Sequence, residues 1–309
     1  MSCRASTRSR TACASASARK AAKVPASTVS FVPVEGSGTR WPGPAAQLLR
    51  AALRARLLSQ RVPRGAETTR RAPAVPEETP EGLGSDPGHR PLPLRLAHRG
   101  EHRRLPENSL AAFRAALAMP DCDGLEFDVR RSRDGIPIVL HDATLARVQG
   151  RPERAAELTA TELAPLGVPT LAAVLSAARA PVFLDIELKE DLGMAAVELI
   201  REARGPDLAA AAISSFERAA LANVRALAPT WRCWLNADDM QPATLALAHE
   251  LGCAGVAAEW RAIDRPAVER ARALGLEVVA WTVHRRATFR RLGELGVVGA
   301  CVEGAALDR

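Results

Sequence analysis

From residue 93 onward this sequence predicts an α/β chain closing into a (β/α)8 TIM-type barrel, on three observations. Short β-rich runs alternate with helical ones across about 215 residues, a repeat number and length that favour a closed barrel over an open doubly wound sheet. No Gly-x-Gly-x-x-Gly or Walker loop follows any strand, so a nucleotide site has no support. Charged side chains gather where the strand runs end, which is where barrels of this kind place their chemistry.

The elements follow in order. LRLAH is a strand, and Ser109 opens a helix running to about Met119. LEFDVR and IPIVLHD are strands joined too closely for a crossover helix, so they read as a hairpin turning at Asp134-Gly135. This hairpin is an excursion after the second strand, and it leaves eight strands for the barrel. Thr170, just after Pro169, caps the helix LAAVLSAAR. VFLDIEL, AAISSF, RCWLNA, AGVAAEW, LEVVAWTV and GACVEG supply the remaining strands. Helices over 195–203, 219–227, 244–251, 267–274 and 287–295 separate them.

Composition misleads until the chain is divided. The formal charge is +7, but residues 1–92 carry 15 Lys+Arg against 6 Asp+Glu, and residues 93–309 carry 27 against 29. The basic balance belongs to the N-terminal third. Residues 1–23 are rich in Ser, Ala and Arg without an acidic residue, and residues 61–93 are dense in Pro, Gly and Glu. Residues 1–92 are therefore expected to be a disordered extension and linker, with the barrel domain at 93–309. The first stretch resembles an organelle transit peptide, and equally a region read through from a start codon set too early. AQLLRAALRARLLSQR places Leu49, Leu53 and Leu57 on one stripe beside Arg50, Arg54 and Arg61, which offers a weak peripheral contact with an anionic membrane. No aromatic residue interleaves these arginines, so nucleic acid is not the expected partner. No apolar run approaches the ~20 residues of a membrane span. The six cysteines form no Cys-x-x-Cys pair and read as buried free thiols in a reducing, cytoplasmic setting. Nothing in the sequence signals an oligomeric state.

The strand ends carry His98-Arg99, Glu126 and Asp128, His141-Asp142, Glu187 and Lys189, then Ser214-Ser215-Phe216 and Trp281. Glu126 and Asp128 stand two apart, so both carboxylates point to one face, and Glu187 and Lys189 repeat that spacing. A turn between 134 and 135 sets residues whose numbers sum to about 269 opposite one another, which brings Asp128 to the His141-Asp142 end. Three inward carboxylates repel one another unless a cation sits between them, and oxygen ligands favour Mg²⁺ or Ca²⁺. Arg99 and Lys189 offer fixed positive charge suited to a phosphate. His98 and His141 move protons near neutral pH. Together these groups point to metal-assisted attack at a phosphodiester.

The same residues carry a resemblance. His98-Arg99-Gly100, Pro106-Glu107-Asn108-Ser109, Glu126-Phe127-Asp128-Val129, Asp134-Gly135, His141-Asp142, Pro169-Thr170-Leu171, Glu187-Leu188-Lys189, Ser215-Phe216 and Trp281-Thr282 resemble the glycerophosphodiester phosphodiesterases, in order across about 94–304. The resemblance implies a TIM-type barrel and metal-dependent cleavage of glycerophosphodiesters to glycerol 3-phosphate and an alcohol. It implies His98 and His141 as the acid/base pair, and Glu126, Asp128 and Glu187 as ligands of one divalent ion. It also implies Arg99 and Lys189 on the phosphate, with Phe216 and Trp281 against the glycerol or leaving group. Arg103 and Arg104 are expected to be loop charges. Three departures stand out. ATLARVQGRPER replaces an Arg-Thr-Thr-Gly-like loop after His141-Asp142, and His284 replaces an Asn. Val302-Glu303-Gly304-Ala305 replaces a Thr-Asp-x-Pro, a change expected to touch closure of the last strand more than the chemistry. Two alternatives stay open on the sequence: a phospholipase D-like enzyme on lysophospholipids, and a non-catalytic barrel that binds phosphodiesters or membrane.

Overall fold

Two strands show why the charged side chains end up inside. In β2 (Gly124–Arg131), Leu125, Phe127 and Val129 alternate with Glu126 and Asp128. In β4 (Phe183–Leu188), Leu184, Ile186 and Leu188 alternate with Asp185 and Glu187. Successive side chains of a strand point to opposite faces. The apolar set packs into the main core beneath the helices, and the carboxylates take the opposite face, the barrel interior. Phe127 meets Phe113 with ring centroids 5.7 Å apart, one of the contacts that seat the first helix.

The computed structural model describes residues 92–308. Besides β2 and β4 its strands are β1 (Leu94–His98), β3 (Pro137–Val139), β5 (Ala211–Ser215) and β6 (Cys233–Ala237). β7 (Gly255–Glu259), β8 (Glu277–Val283) and β9 (Gly299–Val302) complete the set. The order is β1-β9-β8-β7-β6-β5-β4-β2-β3, and β1 also pairs with β2. Eight parallel strands therefore close on themselves, with Ala97 opposite Leu125 on one side and opposite Val302 on the other. β3 is antiparallel and bonded to β2. The expected barrel and its hairpin excursion are both present.

Helices α1 (Leu110–Leu117), α2 (Ala146–Gln149), α3 (Ala160–Leu163), α4 (Leu171–Ala177) and α5 (Gly193–Arg204) cover the first half. α6 (Arg218–Leu227), α7 (Pro242–Glu250), α8 (Arg265–Ala273) and α9 (Arg286–Leu295) cover the second. Ser109 and Thr170 cap α1 and α4 by accepting from Ala112 N at 3.1 Å and Ala173 N at 3.2 Å. Each such cap contributes about 1 kcal/mol. Beyond the expected elements, the chain between β3 and β4 folds into α2, α3 and two short 3₁₀ turns over a small core of its own, built on Ile138, Leu140, Leu145 and Leu163.

The hairpin register differs from the expected one by a single residue. Val129 pairs with Val139 and Arg131 with Pro137, a constant sum of 268. The connection is a three-residue loop, 133–135, closed by Ser132 and Ile136, with Gly135 at φ +80°. Such a loop takes a residue in the left-handed region at its end, where glycine is favoured. Leu140 N consequently donates to Asp128 O at 2.9 Å, and His141 falls one step beyond that pair.

Cys233, Cys253 and Cys301 are buried free thiols and Cys122 is half-buried. Among the described residues no helix is long and apolar enough to cross a membrane. The expectations for the basic arm, its amphipathic stretch, Cys3 and Cys13 lie outside the described residues.

Candidate active site

β1 ends in a sharp reversal. Arg99 and Gly100 both take positive φ, +57° and +85°. At Gly100 a Cβ would lie 2.7 Å from the Ala112 carbonyl carbon, so only glycine lets the turn pack against α1. The reversal brings Arg99 over the barrel mouth. Its Nε lies 3.2 Å from Asp128 Oδ2, and its Nη1 donates to Glu107 Oε1 at 3.0 Å. Its backbone N–H also donates to the Glu126 carbonyl at 2.9 Å and approaches Glu126 Oε2 at 3.2 Å.

Glu126, Asp128 and Glu187 are all buried, and each presents an oxygen within 4.8 Å of the others. Glu126 Oε1 is buried without a hydrogen-bond partner. Burial and the neighbouring carboxylates push Glu126 well above the usual carboxylate range, and Glu187 rises for the same reasons. Asp128 is buried as deeply, yet the charges of Lys189 and Arg99 hold it well below that range. An oxygen-only cluster with an unsatisfied buried oxygen and mutual repulsion fits a hard divalent cation. Lys189 Nζ lies 2.9 Å from Asp128 Oδ1 and 2.5 Å from Glu187 Oε1, so it answers two carboxylates rather than Glu187 alone.

Both histidines are tied through Nδ1. His98 Nδ1 is hydrogen-bonded to Glu303 Oε1, and its Nε2 lies 3.7 Å from Glu126 Oε2. His141 Nδ1 donates to Asp142 Oδ1 at 2.6 Å. Burial lowers the pKa of both. For His98 the bond to Glu303 works against that shift, and for His141 the charge of Asp128 does. The His98 side chain is 13% exposed and that of His141 32%, so His98 sits deeper in the mouth.

All seven polar residues expected from the sequence thus meet at one mouth. The two expected aromatics stand beside them. Phe216 and Trp281 pack edge to face at 5.6 Å, and Lys189 Nζ is 6.0 Å from the Phe216 ring centre. Ser214 and Ser215 do not reach the mouth. Ser214 Oγ donates to Asp185 and Ser215 Oγ to Leu188 O, both in the interior. Arg103 binds Glu101 and Asp308 at the surface, in keeping with a loop charge.

Three contributors were not anticipated. Asn108, at φ +57°, donates from Nδ2 to Asp128 Oδ2 at 2.8 Å. Asp185 has the same strand parity as Glu187, and burial raises its carboxyl to about 7. Glu303 adds to the expectation of strand closure: the Val302–Ala305 departure also brings a carboxylate to His98, because β9 pairs with β1 and sets Glu303 beside it. Its Oε2 also lies 3.4 Å from His284 Nδ1 and 3.8 Å from His102 Nε2. The signal was available in the adjacency of the first and last barrel strands. Glu303→Gln keeps an acceptor but removes the charge. It should lower kcat about tenfold, roughly 1.4 kcal/mol of barrier, with Glu303→Asp in between. Steady-state kinetics that found kcat unchanged would mean His98 is oriented by something else.

A closed parallel barrel with carboxylates, imidazoles and fixed cations converging at the C-terminal strand ends is the layout of a TIM-barrel enzyme site. The profile of the Glycerophosphoryl diester phosphodiesterase family matches residues 98–305, and the chain belongs to that family. A glycerophosphodiester phosphodiesterase from Caldanaerobacter subterraneus subsp. tengcongensis is 28% identical over 228 residues, spanning 67% of this chain and 92% of that protein. Among solved structures, an Oleispira antarctica phosphodiesterase in complex with the product sn-glycerol-3-phosphate superposes with a TM-score of 0.61 at 26% identity. It covers 69% of this chain and 93% of that one. The Thermotoga maritima glycerophosphodiester phosphodiesterase shares the fold with a TM-score of 0.60 at 24% identity, over 69% and 96% of the two chains.

Proposed function

We propose that this chain hydrolyses glycerophosphodiesters to glycerol 3-phosphate and an alcohol, with His98 and His141 as its acid/base pair. The observation that carries this reading is the matched wiring of the two imidazoles. Each donates a hydrogen bond from Nδ1–H to a carboxylate, which leaves Nε2 as the working nitrogen. Glu126, Asp128 and Glu187 hold one divalent ion, Mg²⁺ or Ca²⁺. When bound, that ion supplies a Lewis acid for the phosphoryl group. Arg99 and Lys189 bind the remaining phosphate oxygens, and Asn108 fixes Asp128.

His98, the more buried imidazole, accepts a proton of the attacking water at Nε2 as the new P–O bond forms. His141 is half-exposed; burial lowers its pKa, and the charge of Asp128 and the hydrogen bond to Asp142 oppose that shift and stabilise the imidazolium when it forms. The imidazolium donates at Nε2 to the alcohol oxygen as the old P–O bond breaks. Phe216 and Trp281 form an apolar wall against the glycerol or the departing alcohol. A lysophospholipid is the second reading, favoured by Phe216, which stands 44% exposed at the rim.

The test is release of glycerol 3-phosphate from glycerophosphocholine and glycerophosphoethanolamine by the purified chain with Mg²⁺, Ca²⁺ or EDTA. Metal-dependent release supports the reading. Turnover of lysophosphatidylcholine alone would replace it with the second.

A further inference from the structure

One side chain of the segment after His141 reaches back to the site. Arg147, on α2, donates from Nη1 to Glu107 Oε2 and from Nη2 to Glu107 Oε1, both at 2.7 Å. Its Nε donates to Asp142 Oδ2, also at 2.7 Å. Each of those carboxylates has a second partner. Glu107 Oε1 accepts from Arg99 Nη1 at 3.0 Å, and Asp142 Oδ1 accepts from His141 Nδ1 at 2.6 Å. One guanidinium therefore stands between the group assigned to the phosphate and the group assigned to the leaving alcohol. It touches none of the three carboxylates of the metal cluster.

The chemistry of the linker suits that place. A guanidinium is planar and presents its donors in a rigid fork, so three N–H bonds to two carboxylates fix the separation of those carboxylates. Around it the backbone is pinned: Leu145 N donates to Glu153 O at 2.9 Å, and Thr144 and Arg154 form an isolated bridge. Arg147 is 48% exposed. An ion pair that open contributes on the order of 0–1 kcal/mol to stability. Three well-formed bonds at such a site contribute little to folding, and what they do determine is where Arg99 and His141 stand relative to each other.

We propose that Arg147 is a positioning residue that couples Arg99 to His141, through Glu107 on one side and Asp142 on the other. The proposal rests on the roles given to Arg99 and His141 above. Displacing a reacting group by ~1 Å costs on the order of 100-fold in rate, so losing the coupler is visible in kinetics while the fold stays intact.

The experiment compares Arg147→Met, Arg147→Lys, Glu107→Gln, Asp142→Asn and the Glu107→Gln/Asp142→Asn pair by steady-state kinetics on glycerophosphocholine, thermal unfolding and NMR of the histidine side chains. Glu107→Gln is expected to raise KM, Asp142→Asn to lower kcat, and Arg147→Met to do both, about tenfold or more in each, with Tm nearly unchanged. Arg147→Lys restores one parameter at most, because an ammonium cannot span both carboxylates in a fork. In the paired variant, adding Arg147→Met should change kcat/KM less than about twofold. NMR should show His141 with a hydrogen-bonded Nδ1–H in both its charged and its neutral form in the wild type, and loss of the Nδ1–H tautomer preference of the neutral form in Arg147→Met. That measurement judges the coupling even if the wild type cleaves no diester, in which case the assigned reaction has failed and the coupling has not. The proposal is overturned if Arg147→Met leaves both parameters and the tautomer within error of wild type. It is also overturned if Arg147→Met costs as much in the paired variant as alone.

Discussion

His98→Ala should lower kcat for glycerophosphocholine by about 100- to 10,000-fold, the span expected for removing a general base, with KM little changed. The imidazole is buried, hydrogen-bonded to Glu303 and set beside Glu126, so its loss removes the acceptor for the attacking group's proton and leaves the phosphate ligands in place. Glu303 loses one donor but is partly exposed and keeps His284 and His102 beside Oε2, so thermal unfolding should shift only modestly. The pH dependence has a definite sign. A base must be neutral to act, and burial lowers the His98 pKa from its ordinary value of about 6.5. The limb of the wild-type kcat/KM profile set by His98 should therefore lie on the acid side of about pH 6.5, with loss of the proton from His141, the acid, setting the limb that falls toward higher pH. Activity of His98→Ala within tenfold of wild type would remove His98 from the reaction.

The buried carboxylate cluster, as the proposed site of the divalent ion, predicts the second large effect. EDTA should abolish turnover, and Mg²⁺ or Ca²⁺ should restore it. The same ion should raise the Tm of the wild type, since a ligand that binds only the folded state stabilises it by about 2.7 kcal/mol at one hundred times its Kd. Asp128→Ala should lose both responses. Asp128 keeps its charge through Lys189 and Arg99, and Asn108 orients it, so it is the anionic ligand the ion depends on most. Glu126→Gln is the milder companion. It relieves carboxylate repulsion, so without metal its Tm should match or exceed wild type while its affinity for the ion falls. A Tm for Asp128→Ala that still climbs with added ion would place the cation elsewhere.

Much of this site is legible in the sequence because its main rule is local. Period-two alternation in LEFDVR and FLDIEL puts Glu126, Asp128 and Glu187 on the inner face whatever the rest of the chain does. The positions of His98 and His141 follow from strand ends. What escapes the sequence depends on closure. Glu303 meets His98 across 205 residues, because the last barrel strand happens to lie beside the first. Arg147 meets Glu107 across 40, because two loops fold toward each other over the mouth. The one-residue error in the hairpin arose from the turn. Asp134-Gly135 reads as a two-residue connection, and only the backbone reveals that Arg133 belongs to it.

β3 is bonded to β2, and the circuit of eight strands closes through β1 and β2 without it. His141 and Arg147 therefore belong to an appendage, with a small core of its own, hung on the outside of the ring. Doubling the length of such an appendage costs only about 0.6 kcal/mol in loop closure. A lineage can rewrite it and leave the ring as inherited. The carboxylate half of the site is committed to the architecture, and the half that carries His141 and Arg147 is free to diverge.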